Sequence, residues 1–238
     1  MSWALLDMLF SRVCEECGAV LAEDEPGSLC WDCRARVRFV QVPFCERCGD
    51  PVPGTIGGPY ECAGCRGLRP AFDWARSAVR YEGPAKACIR RFKYQAGIWL
   101  QEELVGWLAA LWRTCPAEVR SVDFVAGIPL YPRRERERGY NQAALLAEGL
   151  AEQVGIPFRR GLLGRTKPTA TQTHLTAVQR VHNVKGVFSV RRPGDVRGAR
   201  IALVDDVMTT GATANECARA LKAAGAAAVM VLTVARGG

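Results

Sequence analysis

Two acids followed by a hydroxyl-rich loop mark the stretch IALVDDVMTTGAT, residues 201–213. An apolar run stops at Asp205 and Asp206. Thr209, Thr210, Gly211, Ala212 and Thr213 follow before a helical pattern begins. Adjacent carboxylates at the end of a buried strand can accept hydrogen bonds from vicinal hydroxyls. A loop of hydroxyls and backbone amides at a helix N-terminus can wrap a phosphate, with the helix dipole favouring the anion. Together these groups describe a site for a phosphorylated ribose. Neither G-x-x-x-x-G-K-S/T nor a G-x-G-x-x-G after a strand is present, which argues against nucleoside triphosphate and dinucleotide sites.

A second chemistry sits at the other end of the chain. Eight of the 11 cysteines fall in Cys-x-x-Cys pairs, Cys14/Cys17, Cys30/Cys33, Cys45/Cys48 and Cys62/Cys65. A shift of 31 residues lays Cys14, Cys17 and Gly18 onto Cys45, Cys48 and Gly49, so the segment is a two-copy repeat. Two thiolates two residues apart can grip one ion from a tight turn, and a second such turn completes a tetrahedron. Glycine after the second Cys tolerates a left-handed backbone and lets amides approach sulfur. A disulfide scaffold would need an export signal, which the N-terminal MSWALLDMLFSRVC lacks, and scattered buried thiols do not explain the spacing. Two structural Zn²⁺ sites are expected, one per half rather than interleaved. Cys88 and Cys217 lie in helical patterns and read as packing residues.

The elements that must carry these groups follow from the rest of the chain. At 238 residues, 49% of them hydrophobic, it can bury a proper core and form a domain plus a small module. No apolar run approaches the roughly 20 residues of a membrane span, and a cytoplasmic protein is expected, with the N-terminus a short helix capping the first module. Strands are predicted over 74–81, 122–130, 201–204 and 228–234, and helices from Pro84, over 102–112, 141–154 and 212–224. That alternation implies an α/β fold with a mainly parallel, doubly wound sheet. Ligands of such sheets gather at the carboxyl ends of the strands, where IPLYPRRERERGYNQ and DDVMTTGAT would meet as loops.

Charge is unevenly spread. Residues 1–70 hold seven bases and ten acids, net −3, which leaves +11 of the total +8 on the remainder. Two four-thiolate zinc sites at about −2 each would take the first module to about −7, which favours a protein partner over nucleic acid there. From Gln153 to Gly194 there is no acid but eight Lys and Arg residues. Such a run is a solvated face or, beside a phosphate loop, an anion-binding one.

IALVDDVMTTGAT resembles the phosphoribosyl pyrophosphate (PRPP) motif of type I phosphoribosyltransferases: an apolar strand, two acids, a short turn, then Thr-Gly-x-Thr. With the double zinc ribbon, the stretch PRRERERGYNQ, and the run from Gln172 through Arg180, Asn183 and Gly186 to Phe188, the whole chain is similar to the ComF family, the ComFC-like competence proteins of bacteria.

That resemblance implies a type I phosphoribosyltransferase-like domain over 71–238 behind a double zinc-ribbon module over 1–70. Asp205 and Asp206 would hold the ribose hydroxyls, as the catalytic carboxylates of an active transferase, while Thr209, Thr210, Gly211, Ala212 and Thr213 cradle the 5′-phosphate. Arg133, Arg134 and Arg138 would face the diphosphate with Mg²⁺, or else lie in solvent, with Glu135 and Glu137 as pairing partners. Asn141 reads equally as an N-cap. The stretch Arg165–Lys185 would be the lid that closes over PRPP, or an ordinary basic loop; His174 and His182 within it receive no catalytic role. Turnover would displace pyrophosphate from the ribose C1 with a nitrogen nucleophile, as in nucleotide salvage, by positioning and charge stabilisation. The competence resemblance implies handling of single-stranded DNA, with a helicase or recombination protein docked on the ribbons. A homodimer is expected by resemblance alone.

Overall fold

The apolar runs become the strands of a wholly parallel sheet. The computed structural model describes residues 12–167 and 183–237. In it β1 (Trp74–Arg80), β2 (Phe124–Gly127), β5 (Arg200–Met208) and β6 (Ala228–Arg236) lie in the order β1–β6–β5–β2. Every residue of β6 is buried, as a central strand covered on both faces requires. Helices α3 (Gly83–Tyr94), α4 (Gln101–Thr114) and α7 (Gln142–Val154) cover one face, with Ile89, Leu104, Leu108, Leu146 and Leu150 fully buried. Helix α9 (Ala212–Ala223) packs on the other, around Phe72, Leu203 and Leu221. The two-residue period of β5 follows from this: Ile201 and Leu203 enter the second core, Ala202 and Val204 the first.

Several elements differ from the sequence reading. The strand predicted to reach Leu130 ends at Gly127, because Pro129 has no N–H to continue the ladder. The charged run expected as a loop is instead helix α6 (Pro132–Arg138), opened by Pro132 and closed by Gly139 in the left-handed region. Along the chain from β2 to β5 comes a separate antiparallel ribbon of β3 (Leu163–Arg165) and β4 (Phe188–Val190), each too short for a periodic signal.

The ribbon module repeats in space as it does in sequence. Bridges Val13↔Val20 and Phe44↔Pro51 stand at the same offset of 31 residues. The last Cys-x-x-Cys of each half begins a short helix, α1 (Trp31–Ala35) and α2 (Ala63–Leu68). Gly18 and Gly49 have φ of +74° and +66°, the left-handed turn expected after the second Cys. The expected N-terminal helix lies outside the described residues.

This module is not a separate body. Leu21 and Leu29 share one core with Leu100 and Leu104. Its backbone closes the exposed edge of β1 through Arg80 N to Arg38 O (2.7 Å), Val40 N to Ala78 O (2.9 Å) and Ala75 N to Arg47 O (2.9 Å). Arg34 reaches Glu103 at 2.8 Å, where the carboxylate is only 4% exposed.

Candidate functional site

Parallel pairing puts the carboxyl ends of β1, β2 and β5 on one edge, and there the candidate residues gather. β5 runs four residues past Val204, so Asp205 and Asp206 lie within it, Asp205 beside Thr233 of β6. Strand alternation sends them to opposite faces. Asp205 turns toward Arg165 and Cys217, and its Oδ1 accepts from the Asp206 N–H at 2.9 Å. Burial and then the neighbouring Asp206 charge push its carboxyl up to about 7, against the opposing pull of Lys93, the Asp206 N–H and Arg165. Asp206 is 3% exposed and pairs with Lys93 Nζ at 2.8 Å through Oδ1. Its Oδ2 is buried without a hydrogen-bond partner.

Thr209 and Thr210 turn the chain from β5 into α9. Gly211, at φ +74°, occupies the N-cap of that helix, and the Thr210 hydroxyl accepts from the Ala212 N–H at 3.4 Å. A small hollow of about 30 Å³ is lined by Asp205, Met208, Thr209 to Thr213 and Thr233. The structure thus joins Asp205 to the whole expected phosphate loop, while Asp206 faces the other way. Amides at a helix N-terminus beside a carboxylate suit a sugar phosphate.

The arginines divide. Arg133 is exposed and bound to Glu137 at 2.7 Å. Arg138 donates to Gln142 Oε1 and lies over the Tyr94 ring at 5.3 Å. Arg134 stands near Arg165, a guanidinium only 8% exposed on β3 whose pKa is lowered by burial and then by Arg134. Of these arginines Arg165 acts on Asp205, with Arg134 next to it, and neighbouring cations favour an anion. Asn141 caps α7, its Oδ1 accepting from Ala143 N (3.0 Å) and Ala144 N (3.3 Å).

Arg165 was expected to begin a lid; it is a packed strand residue. The chain leaves β3 through Thr166, whose N–H donates to Val187 O at 2.8 Å. It is anchored again by fully buried Val184 and by Gly186 N–H to Glu216 Oε2 at 2.9 Å. Most of the expected lid, with His174, Arg180 and His182, lies outside the described residues. Lys93 was missed altogether: in the sequence it is one of several bases in a helix, and only the tertiary fold brings it to Asp206.

The thiols assemble as two sequential groups, Cys14, Cys17, Cys30 and Cys33, and Cys45, Cys48, Cys62 and Cys65, each with its sulfurs within 4.8 Å of one another. Cys17–Cys30 and Cys48–Cys62 sulfurs are 3.8 Å and 3.7 Å apart. A tetrahedron with Zn–S of about 2.3 Å has edges of about 3.8 Å, so both groups fit structural zinc. Burial opposes ionisation of Cys14 and Cys45, but converging backbone N–H groups outweigh it and pull these thiols down to about 6 and about 7. Such thiols are ready to ligate a metal.

Comparison with known proteins agrees with both halves. The double zinc ribbon domain family matches residues 5–66 and the phosphoribosyl transferase domain family residues 141–238. The fold and site define a type I phosphoribosyltransferase-like protein carrying an N-terminal double zinc ribbon. Competence protein F of Haemophilus influenzae is 32% identical over 211 residues, 87% of this chain and 90% of its own. The DNA utilization protein YhgH of Salmonella typhi is 33% identical, over 89% of this chain and 97% of its own. Competence protein ComFC of Bacillus subtilis is 27% identical, over 88% and 83%. The chain belongs to the ComF family. Among solved structures, the glutamine PRPP amidotransferase of B. subtilis aligns over 61% of this chain and 30% of its own, at 23% identity and a TM-score of 0.42.

Proposed function

We propose that this protein binds PRPP at the carboxyl edge of its sheet and acts in competence, in the handling of incoming single-stranded DNA. The PRPP reading is carried by one observation. Asp205, its carboxyl pushed up to about 7, lines the hollow of a phosphate-type loop, and next to it in the strand Asp206 keeps a buried Oδ2 with no hydrogen-bond partner. Ribose hydroxyls supply the donors such carboxylates lack, and the loop at the start of α9 takes the 5′-phosphate. Arg134 and Arg165 are the cations placed for the diphosphate, which Mg²⁺ would accompany. Arg133 pairs with Glu137, and Arg138 donates to Gln142.

The DNA reading draws support from the names of the relatives and from a surface beside the site. Tyr94 and Trp99 are 65% and 57% exposed, each with an arginine over its ring, Arg138 at 5.3 Å and Arg91 at 5.8 Å. Exposed rings among cations are what unpaired bases stack on. On the ribbons Val13, Val20, Trp31, Phe39, Val42 and Leu68 are exposed, which supports docking of a protein partner there.

The test is calorimetric titration of PRPP with Mg²⁺ into the wild type and Asp205→Asn/Asp206→Asn. Binding that the double variant loses supports the site and calls for a screen of nitrogen nucleophiles for pyrophosphate release. No binding to a folded, zinc-loaded wild type rejects it. For DNA, Tyr94→Ala/Trp99→Ala should weaken single-strand binding, and affinity should fall steeply with salt.

A further inference from the structure

Lys93 belongs to no part of the PRPP motif, yet it makes the most deeply placed ion pair at the site. Helix α3 starts at the end of β1, and its last turn reaches across the carboxyl edge of the sheet. There Phe92 O accepts from the Tyr140 hydroxyl, and Lys93 Nζ lies 2.8 Å from Asp206 Oδ1. The two side chains are 15% and 5% exposed. Buried ion pairs contribute little net stability, because desolvation offsets the attraction. Stability is therefore a poor account of why a lysine stands here.

Two consequences of its position bear on the ligand. With Oδ1 held, Asp206 keeps one oxygen, Oδ2, buried and without a donor. The ammonium also acts on both consecutive carboxylates, since Asp205 feels Lys93 as well as Asp206. Around Asp205 the other facing groups are Arg165 from β3 and Cys217 from α9. Around Lys93 they are Asp205, Tyr94 and Tyr81, the last of which also feels Arg90.

We propose that Lys93 is a positioning residue of the phosphoribose site, holding Asp206 through Oδ1 and offsetting the charge of the adjacent carboxylates, of which Asp205 lines the phosphate hollow. The inference rests on the phosphoribose reading above. Burial alone would depress the Lys93 ammonium, but the charge and hydrogen bond of Asp206, with Asp205 and Tyr94, together outweigh it and hold it above its ordinary value, so the clamp stays charged through neutral pH. Without Lys93 the two carboxylates would share a proton until a higher pH, and acceptors needed by the ribose would be blocked.

The experiment is titration of PRPP with Mg²⁺ into the full zinc-loaded chain, as wild type, Lys93→Met and Lys93→Arg, from pH 6 to 9, with a thermal melt of each variant. Lys93→Met should bind about tenfold or more weakly at pH 7, with the midpoint of its pH profile displaced upward by about one unit. Lys93→Arg keeps the charge and should hold the wild-type midpoint. Should Lys93→Met fail to fold, Lys93→Gln retains a donor to Oδ1 and should show the same upward displacement. A purely structural lysine would lower the melting temperature without moving the midpoint, and coincident profiles for wild type and the uncharged variants overturn the proposal. A wild type that binds no PRPP instead rejects the phosphoribose reading beneath it.

Discussion

The guanidinium of Arg236, at the end of β6, donates to the backbone carbonyl of the zinc-group residue Cys48 at 3.2 Å. The same side chain, 8% exposed, pairs with Asp50 at 2.9 Å. Arg236 stands in register with Met208, and the next N–H, of Gly237, donates to Met208 O at 3.0 Å. Met208 leads directly into the phosphate loop. The second ribbon is therefore built into the strand that braces the candidate site.

Zinc removal should consequently be felt across the whole chain. Metal-ligand binding energy in such modules is folding energy. Chelation under reducing conditions should lower the melting temperature of the entire chain in one transition and reduce hydrogen-exchange protection at the end of β6. Asp50→Ala should cost roughly 1–2 kcal/mol, discounted because its carboxylate is 44% exposed. A sheet that melts at the same temperature with and without zinc would show that the modules are uncoupled.

Ligation within each half has its own signature. Because the sulfurs group as Cys14, Cys17, Cys30 and Cys33 against Cys45, Cys48, Cys62 and Cys65, removing one pair should leave the other ion in place. Cys14→Ser/Cys17→Ser should retain one zinc per chain by elemental analysis. Loss of both ions from a chain that still folds would point to shared ligands.

How much of this was legible depended on range. The Cys-x-x-Cys spacing and the DDVMTTGAT loop are local, so their chemistry could be read directly; the structure gathers the eight thiols as expected, while β5 runs on through both acids and turns them to opposite faces. RRERER carries no apolar period, so its helix was invisible until Pro132 and Gly139 were seen to punctuate it. The bounds of β5 depended on pairing with β6, a tertiary contact. Lys93 and Arg165 were beyond sequence reasoning for one reason: each meets Asp206 or Asp205 only after distant segments fold together.

The phosphate loop depends on backbone shape at Gly211. At φ +74° a side chain is strained, and a Cβ would lie 2.6 Å from Met208 Cε. Gly211→Ala should destabilise the chain by about 1 kcal/mol. It should weaken PRPP binding more than the stability loss implies, because the loop amides would turn from the phosphate. Equal losses in stability and affinity would mean the loop's shape has no special part in binding.

Asp205 makes a pH prediction of unusual sign. Its folded carboxyl is pushed up to about 7, by burial first and then by Asp206, whereas an unfolded aspartate titrates near 3.8. Between those values the folded state holds a proton that the unfolded state has lost. Stability from this group therefore falls as pH rises from about 4 to about 7, and is constant above. Other carboxylates trend the opposite way, so the observable is the difference between wild type and Asp205→Asn in urea melts at several pH values. Wild type should lose ground to the variant up to neutral pH and track it beyond. A ligand whose hydroxyls donate to Asp205 favours the ionised form, so PRPP binding near pH 7 should release a proton. The calorimetric heat should then change with the ionisation enthalpy of the buffer in the wild type, and much less in Asp205→Asn. Buffer-independent heats in the wild type would show that Asp205 is not the group the ribose engages.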